Sequence, residues 1–393
     1  MSRPDLLARI ADAQAQRARA GLLRRLRTVD SVEGPHIVVA GKSLIDFGSN
    51  DYLGLAQHPA LREAVTQAVK QWGVGAGAAH LLGGHRDEHA ALEEKLARWT
   101  QRERALLFST GYMANLGVGG ALLGNGDVCV QDKLNHASLI DAARLAGAEL
   151  VRYRHVDVDS ASRQLRARPH AAAMLATDAV FSMDGDLAPL VDLSTLCKTH
   201  NATLMVDDAH GIGVLGNDGA GSLSDADLSQ SDVPVLMATL GKALGVTGAF
   251  VAGSTALIDG LIQFARPYVY TTAMPAALAA AASAAVDLAR DDSERRERLY
   301  RHIARFCDGA AARGIVLLPS RTPIQPVPVG DSATASAIAQ QLELAGFYVP
   351  AIRPPSVPAN GARLRVSLSA AHAHDAIDGL LDALAVALVP KRH

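Results

Sequence analysis

The sequence predicts an α/β protein: a large domain with a mainly parallel sheet covered by helices, followed by a smaller α+β C-terminal domain. Three observations carry that prediction. Short β-rich runs alternate with segments of helical period from about Asp46 onward. Several of those runs are continuously apolar, as strands buried on both faces are. A change of composition near Asp291 then sets the C-terminal part of the chain apart from the rest.

In chain order, the basic segment "MSRPDLLARIADAQAQRARAGLLRRL" opens the protein. Its period is helical, and Asp5 and Asp12 together with the lack of an apolar stretch argue against a targeting peptide, so residues 1–45 are read as an amphipathic arm. The strands of the large domain, residues 46–290, are expected in "RALLFST", "GDVCVQD", "ELVRYRH", "AAMLATDAVFS", "ATLMVDDAH", "VLMATLG" and "GAFVAG". The run "TTAMPAALAAAASAAVDLA" is mostly alanine with Pro275 in its first turn, which predicts a packed helix and not a membrane span. The charged stretch "ARDDSERRERLYRHIARF" leads into residues 291–393, where "IQPVPVG" and "ARLRVSLSA" read as strands between helices.

Composition narrows the function. Thirty-eight basic and 40 acidic residues leave a formal charge of −2, too little to attract nucleic acid or an anionic membrane. Cys129, Cys197 and Cys307 are scattered and lack metal-ligand or redox spacing, which fits a reducing cytoplasm.

The chemistry-bearing residues cluster where strands end. After "RALLFST", Gly111 and Tyr112 open a helix whose first amides can receive a phosphate, and Tyr112 offers a face to a planar ring. "ATLMVDDAHGIG" places Asp207 and His210 at a strand's carboxyl end, where open α/β sheets bind ligands. Asp207 can hold a protonated ring nitrogen or cap a turn; a metal pair lacks a third ligand of sensible spacing, and no metal is expected. His136 in "QDKLNHASLID" sits at another such end.

Lys242 stands in "MATLGKALGVTGAF", after an apolar run from Val235 to Leu240. Desolvation there disfavours the ammonium and leaves an amine able to attack an aldehyde. A phosphate-binding loop is excluded because Leu236 replaces its first glycine and Ala243 follows the lysine; a serine hydrolase is excluded because Thr239 replaces the serine. "GVGAG" follows a helical run instead of a strand and is read as a loop lining a cleft, with His80, His85 and His89 as solvent-facing or hydrogen-bonding residues.

Taken together, "SNDYLGL", "LLGG…H…LE", "STGYMAN", "NHASL", "FSMDGDLAPL", "VDDAHGIGVLG", "ATLGKALG" and "YTTAMP" resemble the α-oxoamine synthases, a family of fold-type I enzymes dependent on pyridoxal 5'-phosphate, over nearly the whole chain. The resemblance implies an acyltransferase in which Lys242 binds the cofactor aldehyde covalently, Asp207 binds its pyridine nitrogen, His210 its phenolic oxygen, and His136 stacks on its ring. It implies further cofactor contacts from Gly111, Tyr112, Ser182 and Thr239. Thr271 and Thr272 would reach the cofactor phosphate of a partner subunit in a homodimer. Arg353 would bind an amino-acid carboxylate, with Ser356 where the family has threonine. Arg24 and Asn50 would meet substrate at the mouth of the site. Within the family, "AIRPPSVPANGARLRVSLSA" is most similar to members that join L-alanine to a pimeloyl thioester of coenzyme A or acyl carrier protein; other members join glycine to acetyl-CoA.

Overall fold

The computed structural model describes residues 3–389, and they fall into two compact units. One is Asn50–Tyr300; the other joins the described residues up to Ser49 with those from Arg301 onward. The described residues up to Ser49 thus share a unit with the C-terminal part of the chain. Strand Lys42–Asp46 pairs in parallel with Phe347–Tyr348, a long-range pairing that local sequence pattern cannot reveal. The boundary falls inside helix Ser293–Ala312, which is why no linker is visible in the sequence.

The larger unit is built on seven strands: β1 (Arg104–Phe108), β2 (Val128–Asp132), β3 (Glu149–Tyr153), β4 (Ala173–Asp178), β5 (Thr203–Asp207), β6 (Val235–Thr239) and β7 (Ala249–Gly253). Their order is β1-β7-β6-β5-β4-β2-β3. Only β7 runs antiparallel to its neighbours, so the other six deliver their carboxyl ends to one edge.

Continuous apolarity is explained by two cores, one on each face. Val128 and Val130 pack in one cluster while Cys129 between them packs in the other. Leu204 and Val206 likewise flank Met205 on the opposite face. Successive strand residues point to opposite sides, so a strand with both sides covered has no polar positions to alternate. Removing one such side chain to alanine typically costs about 2–5 kcal/mol. Helices Gly111–Leu122 and Ala137–Ala146 pack so closely that a Cβ on Gly119 would lie 2.7 Å from that of Ala142. That separation requires glycine.

The smaller unit holds a four-stranded sheet and a three-stranded one. Strand Ile324–Gly330 carries Pro326 and Pro328 yet lies at a sheet edge, where a missing amide donor is tolerated. Helix Leu6–Arg19 is capped by Asp5 and buries none of its residues within the chain. Arg27 grips Glu343 through two bonds of 2.7 and 3.0 Å.

The core of this unit includes a histidine. The ring of His372 stacks on Phe47 at 4.1 Å; its Nδ1 accepts from the Ser369 amide and its Nε2 donates to the Asp46 carbonyl. Burial pushes its pKa down from 6.5 to about 4, against the weaker opposing effect of the Asp46 bond. The unfolded chain therefore binds a proton that the folded chain resists. The associated stability is complete above pH 6.5 and is lost as the pH falls from 6.5 towards about 4. Thermal melts between pH 7.5 and 4 are expected to show this decline, and His372→Gln should flatten it while lowering the melting temperature at neutral pH. An unchanged pH slope in the variant would contradict the assignment.

Candidate functional site

The carboxyl ends of β4, β5 and β6 and the starts of two helices enclose a cleft of about 220 Å³. Gly111, Tyr112, His136, Asp207, His210, Thr239 and Lys242 all line it. Seven residues named from the sequence thus meet in one place. Ser182, Thr271, Thr272 and Asn50 lie on the same unit but are not among the residues lining this cleft. Arg24, Arg353 and Ser356 belong to the smaller unit, where the Arg353 guanidinium donates to the Gly21 carbonyl at 2.8 Å.

Two aspartates in succession have opposite tasks because they end a strand. Asp207 faces the cleft, whereas Asp208 turns into the protein and accepts from the amide and hydroxyl of Ser222. The turn closes tightly around Asp208, since a Cβ on Gly211 would lie 2.1 Å from its Oδ1. Burial pushes the Asp208 carboxyl up to about 7, offset in part by the Ser222 bonds.

Asp207 is held by two donors. Its Oδ1 accepts from the Ala209 amide at 3.1 Å and its Oδ2 from Asn115 Nδ2 at 2.8 Å. The same Asn115 Nδ2 donates to Ser138 Oγ at 2.8 Å, and Ser138 Oγ lies 2.7 Å from His136 Nδ1. The Ser138 amide also points at that nitrogen. Nδ1 of His136 is consequently an acceptor, which puts the proton of the neutral ring on Nε2. Burial lowers the His136 pKa, against the opposing pull of Asp207. Asp178, the neighbour of Asp207 across the β4–β5 pairing, accepts from the His136 amide at 2.8 Å. Burial and the charge of Asp207 push its carboxyl well up.

A second chain of bonds reaches the lysine. Tyr52 Oη donates to Asn50 Oδ1 at 3.1 Å and lies 2.7 Å from His210 Nδ1. His210 Nε2 lies 3.0 Å from Lys242 Nζ. With the tyrosine proton directed at Asn50, His210 donates through Nδ1 and accepts the lysine through Nε2. Lys242 is half-buried, not enclosed as the apolar run before it suggests, because the turn after β6 turns it outward to the cleft.

Helix Gly111–Leu122 aims its start at the cleft. Thr110 uses its hydroxyl and carbonyl for the Met113 and Ala114 amides, leaving those of Gly111 and Tyr112 without intrahelical partners. Tyr112 stands edge-on to His136, at 81° and 6.4 Å, and bonds Asp141. Thr239 Oγ1 donates to the Gly248 carbonyl at 2.9 Å and accepts from the Gly241 amide. The donor set fits pyridoxal phosphate: an amine for its aldehyde, a carboxylate for its ring nitrogen, an imidazole for its face and exposed amides for its phosphate.

Asn115, Ser138, Asp178 and Tyr52 carry no chemical signal of their own in the sequence. Asn115 and Tyr52 nonetheless lie within the motifs "STGYMAN" and "SNDYLGL", and Asn115 is one helical turn beyond Gly111. Of the two readings of the loop histidines, the structure shows the hydrogen-bonding one, with His80 Nδ1 2.9 Å from His85 Nδ1. His80 and His89 are buried, and ligand atoms of His80, His85 and His89 lie within 4.8 Å of one another. His89 accepts from the Arg86 amide and donates to the Met274 carbonyl, which leaves no lone pair for a metal. His80 stacks on Tyr268, so the cluster ties the glycine loop to the rest of the unit.

Residues 42–384 match the family described as aminotransferase class I and II. The chain is 55% identical to the 8-amino-7-oxononanoate synthase of Thioalkalivibrio sulfidiphilus (strain HL-EbGR7) over 370 residues, 94% of each protein. Serine palmitoyltransferase from S. paucimobilis, solved with a bound PLP–myriocin aldimine, has a TM-score of 0.92 at 29% identity and covers 98% of both chains. The 8-amino-7-oxononanoate synthase from Francisella tularensis has a TM-score of 0.77 at 30% identity, covering 87% of this chain and 97% of its own. The fold is that of these fold-type I enzymes, as the sequence predicts.

Asn115→Leu would strand Asp207 Oδ2 and Ser138 Oγ in a buried setting. Unfolding by urea should show a loss of about 1–3 kcal/mol. An unchanged midpoint would mean that the bridge does not hold the two groups.

Proposed function

Because the chain belongs to the class I and II aminotransferase family, and within it to the 8-amino-7-oxononanoate synthases, we propose that it joins L-alanine to a pimeloyl thioester with pyridoxal phosphate as cofactor. The products are 8-amino-7-oxononanoate, carbon dioxide and the free carrier thiol, a step of biotin synthesis. The observation that carries this reading is the convergence of Lys242, Asp207, His210 and His136 on one cleft at the carboxyl edge of the sheet.

Bound pyridoxal phosphate supplies an electron sink for charge developing at the α-carbon of the amino acid. Asp207 is the residue that keeps a proton on the ring nitrogen, and the Asn115 and Ala209 bonds fix its direction. Lys242 would hold the cofactor's aldehyde and would serve as the base for the α-proton of alanine; His210 at 3.0 Å orients the amine for both tasks. His136 covers the ring, with Nε2–H as its outward donor. His210 also meets the ring's phenolic oxygen, and Gly111, Tyr112, Ser182 and Thr239 supply further cofactor contacts.

Arg353 takes the alanine carboxylate beside Ser356, and Arg24 and Asn50 meet the acyl substrate. Thr271 and Thr272 complete the cofactor site of a second copy. A homodimer is supported by apolar side chains left in solvent on both units, including Leu7, Val74, Leu82 and Tyr270, each more than 70% exposed. No described helix is long and apolar enough to cross a membrane, and we place the reaction in the cytoplasm, without nucleic-acid partners.

The test is a comparison of kcat/KM for L-alanine and glycine, each with pimeloyl and acetyl thioesters of coenzyme A and of acyl carrier protein. Alanine with a pimeloyl thioester should exceed glycine with acetyl-CoA by well over the roughly 10–200-fold that one methyl group commands. Faster turnover of glycine and acetyl-CoA would overturn the reading.

A further inference from the structure

A second cavity, of about 170 Å³, lies in the larger unit and shares no lining residue with the catalytic cleft. Its wall includes Leu236, the second residue of β6, so it opens at the start of the strand whose other end leads to Lys242. Arg102 lines it and is only 7% exposed. Among the described residues no hydrogen-bond acceptor and no ion-pair partner reaches its guanidinium, and its buried Nε is unsatisfied.

A buried cation without a counter-charge is costly, by several kcal/mol even after the protein relaxes. Neutralisation does not relieve it: burial lowers the Arg102 pKa only to about 10, so the group stays charged at neutral pH. The nearest acidic influence, Asp232, is already committed to Lys198 and to the amide and hydroxyl of Ser229. Asp227 also lines the cavity, but it is exposed and forms no ion pair with Arg102. Gln101 and Ser224, on the same wall, are exposed and can add neutral hydrogen bonds. The space is smaller than the roughly 300 Å³ at which pockets for drug-sized ligands begin.

We propose that this cavity is a binding site for a small oxyanion, a carboxylate or a sulfate- or phosphate-type group, gripped by the Arg102 guanidinium. A planar fork of donors suits two oxygens of one anion, and a small anion supplies the direct ion pair that the fold does not. Water could satisfy the hydrogen bonds but would leave the cation uncompensated.

The experiment uses the enzyme loaded with pyridoxal phosphate, so that the cofactor's own phosphate site is filled. Melting temperatures are recorded in sodium sulfate and in sodium acetate against sodium chloride at matched ionic strength. At least one of the two anions should raise the wild-type value saturably, by about 1–3 °C at ten times its dissociation constant. The larger shift identifies the preferred anion class, and Arg102→Gln should abolish it. No specific shift in wild type, or an equal shift in the variant, would overturn the proposal. Should the variant fail to fold, wild-type crystals soaked in selenate decide the matter. An anomalous peak at the guanidinium supports the site, and water alone there refutes it.

Discussion

The fixed direction of the Asp207 carboxylate is the constraint on which the rest of the site depends. It ends a strand buried on both faces, so its backbone cannot shift without disturbing two cores. Its two oxygens are spoken for by different elements, the Ala209 amide of the following turn and the Asn115 side chain of the helix after β1. An anion in this position orders its surroundings. The carboxyl of Asp178 next to it is pushed well up, and Asn115, by sharing its amide with Ser138, determines which nitrogen of His136 is protonated. One hydrogen-bond bridge therefore couples the charge in the cleft to the orientation of the imidazole across it.

The lysine is governed separately. It comes from the turn after β6, and its partners His210 and Tyr52 belong to the turn after β5 and to the segment at the start of the larger unit. Carboxylate and amine thus have different partners, joined through the turn after β5, where Ala209 holds Asp207 and the next residue, His210, meets Lys242. A cofactor whose ring nitrogen and aldehyde must be gripped at the same time is served by one turn that sets both.

Much of this was legible in the sequence, for identifiable reasons. Strand ends announce themselves because continuous apolar runs stop at polar residues, and Asp207, His136 and Lys242 each stand at such a stop. The sheet's class follows from the same runs, which lack alternation because both faces are covered. Features that escape local reading depend on contacts distant in sequence. Asn115 looks like an ordinary helical residue until β5 is set beside its helix, and Asp208 cannot be told from Asp207 until the turn around Gly211 is seen. The pairing of strand Lys42–Asp46, at the end of the segment 1–45 read as an arm, is invisible locally because its partner lies some 300 residues away. For the histidines of the glycine loop the sequence leaves solvent-facing and hydrogen-bonding readings open, because their neighbours Tyr268 and Met274 come from the far end of the unit.

The central claim is that the amine of Lys242 carries the cofactor. Reduction of the loaded enzyme with borohydride, followed by peptide mapping, tests it directly. The account predicts a stable pyridoxyl adduct on the peptide containing Lys242 and on no other. An adduct on a different lysine, or none at all, would contradict it.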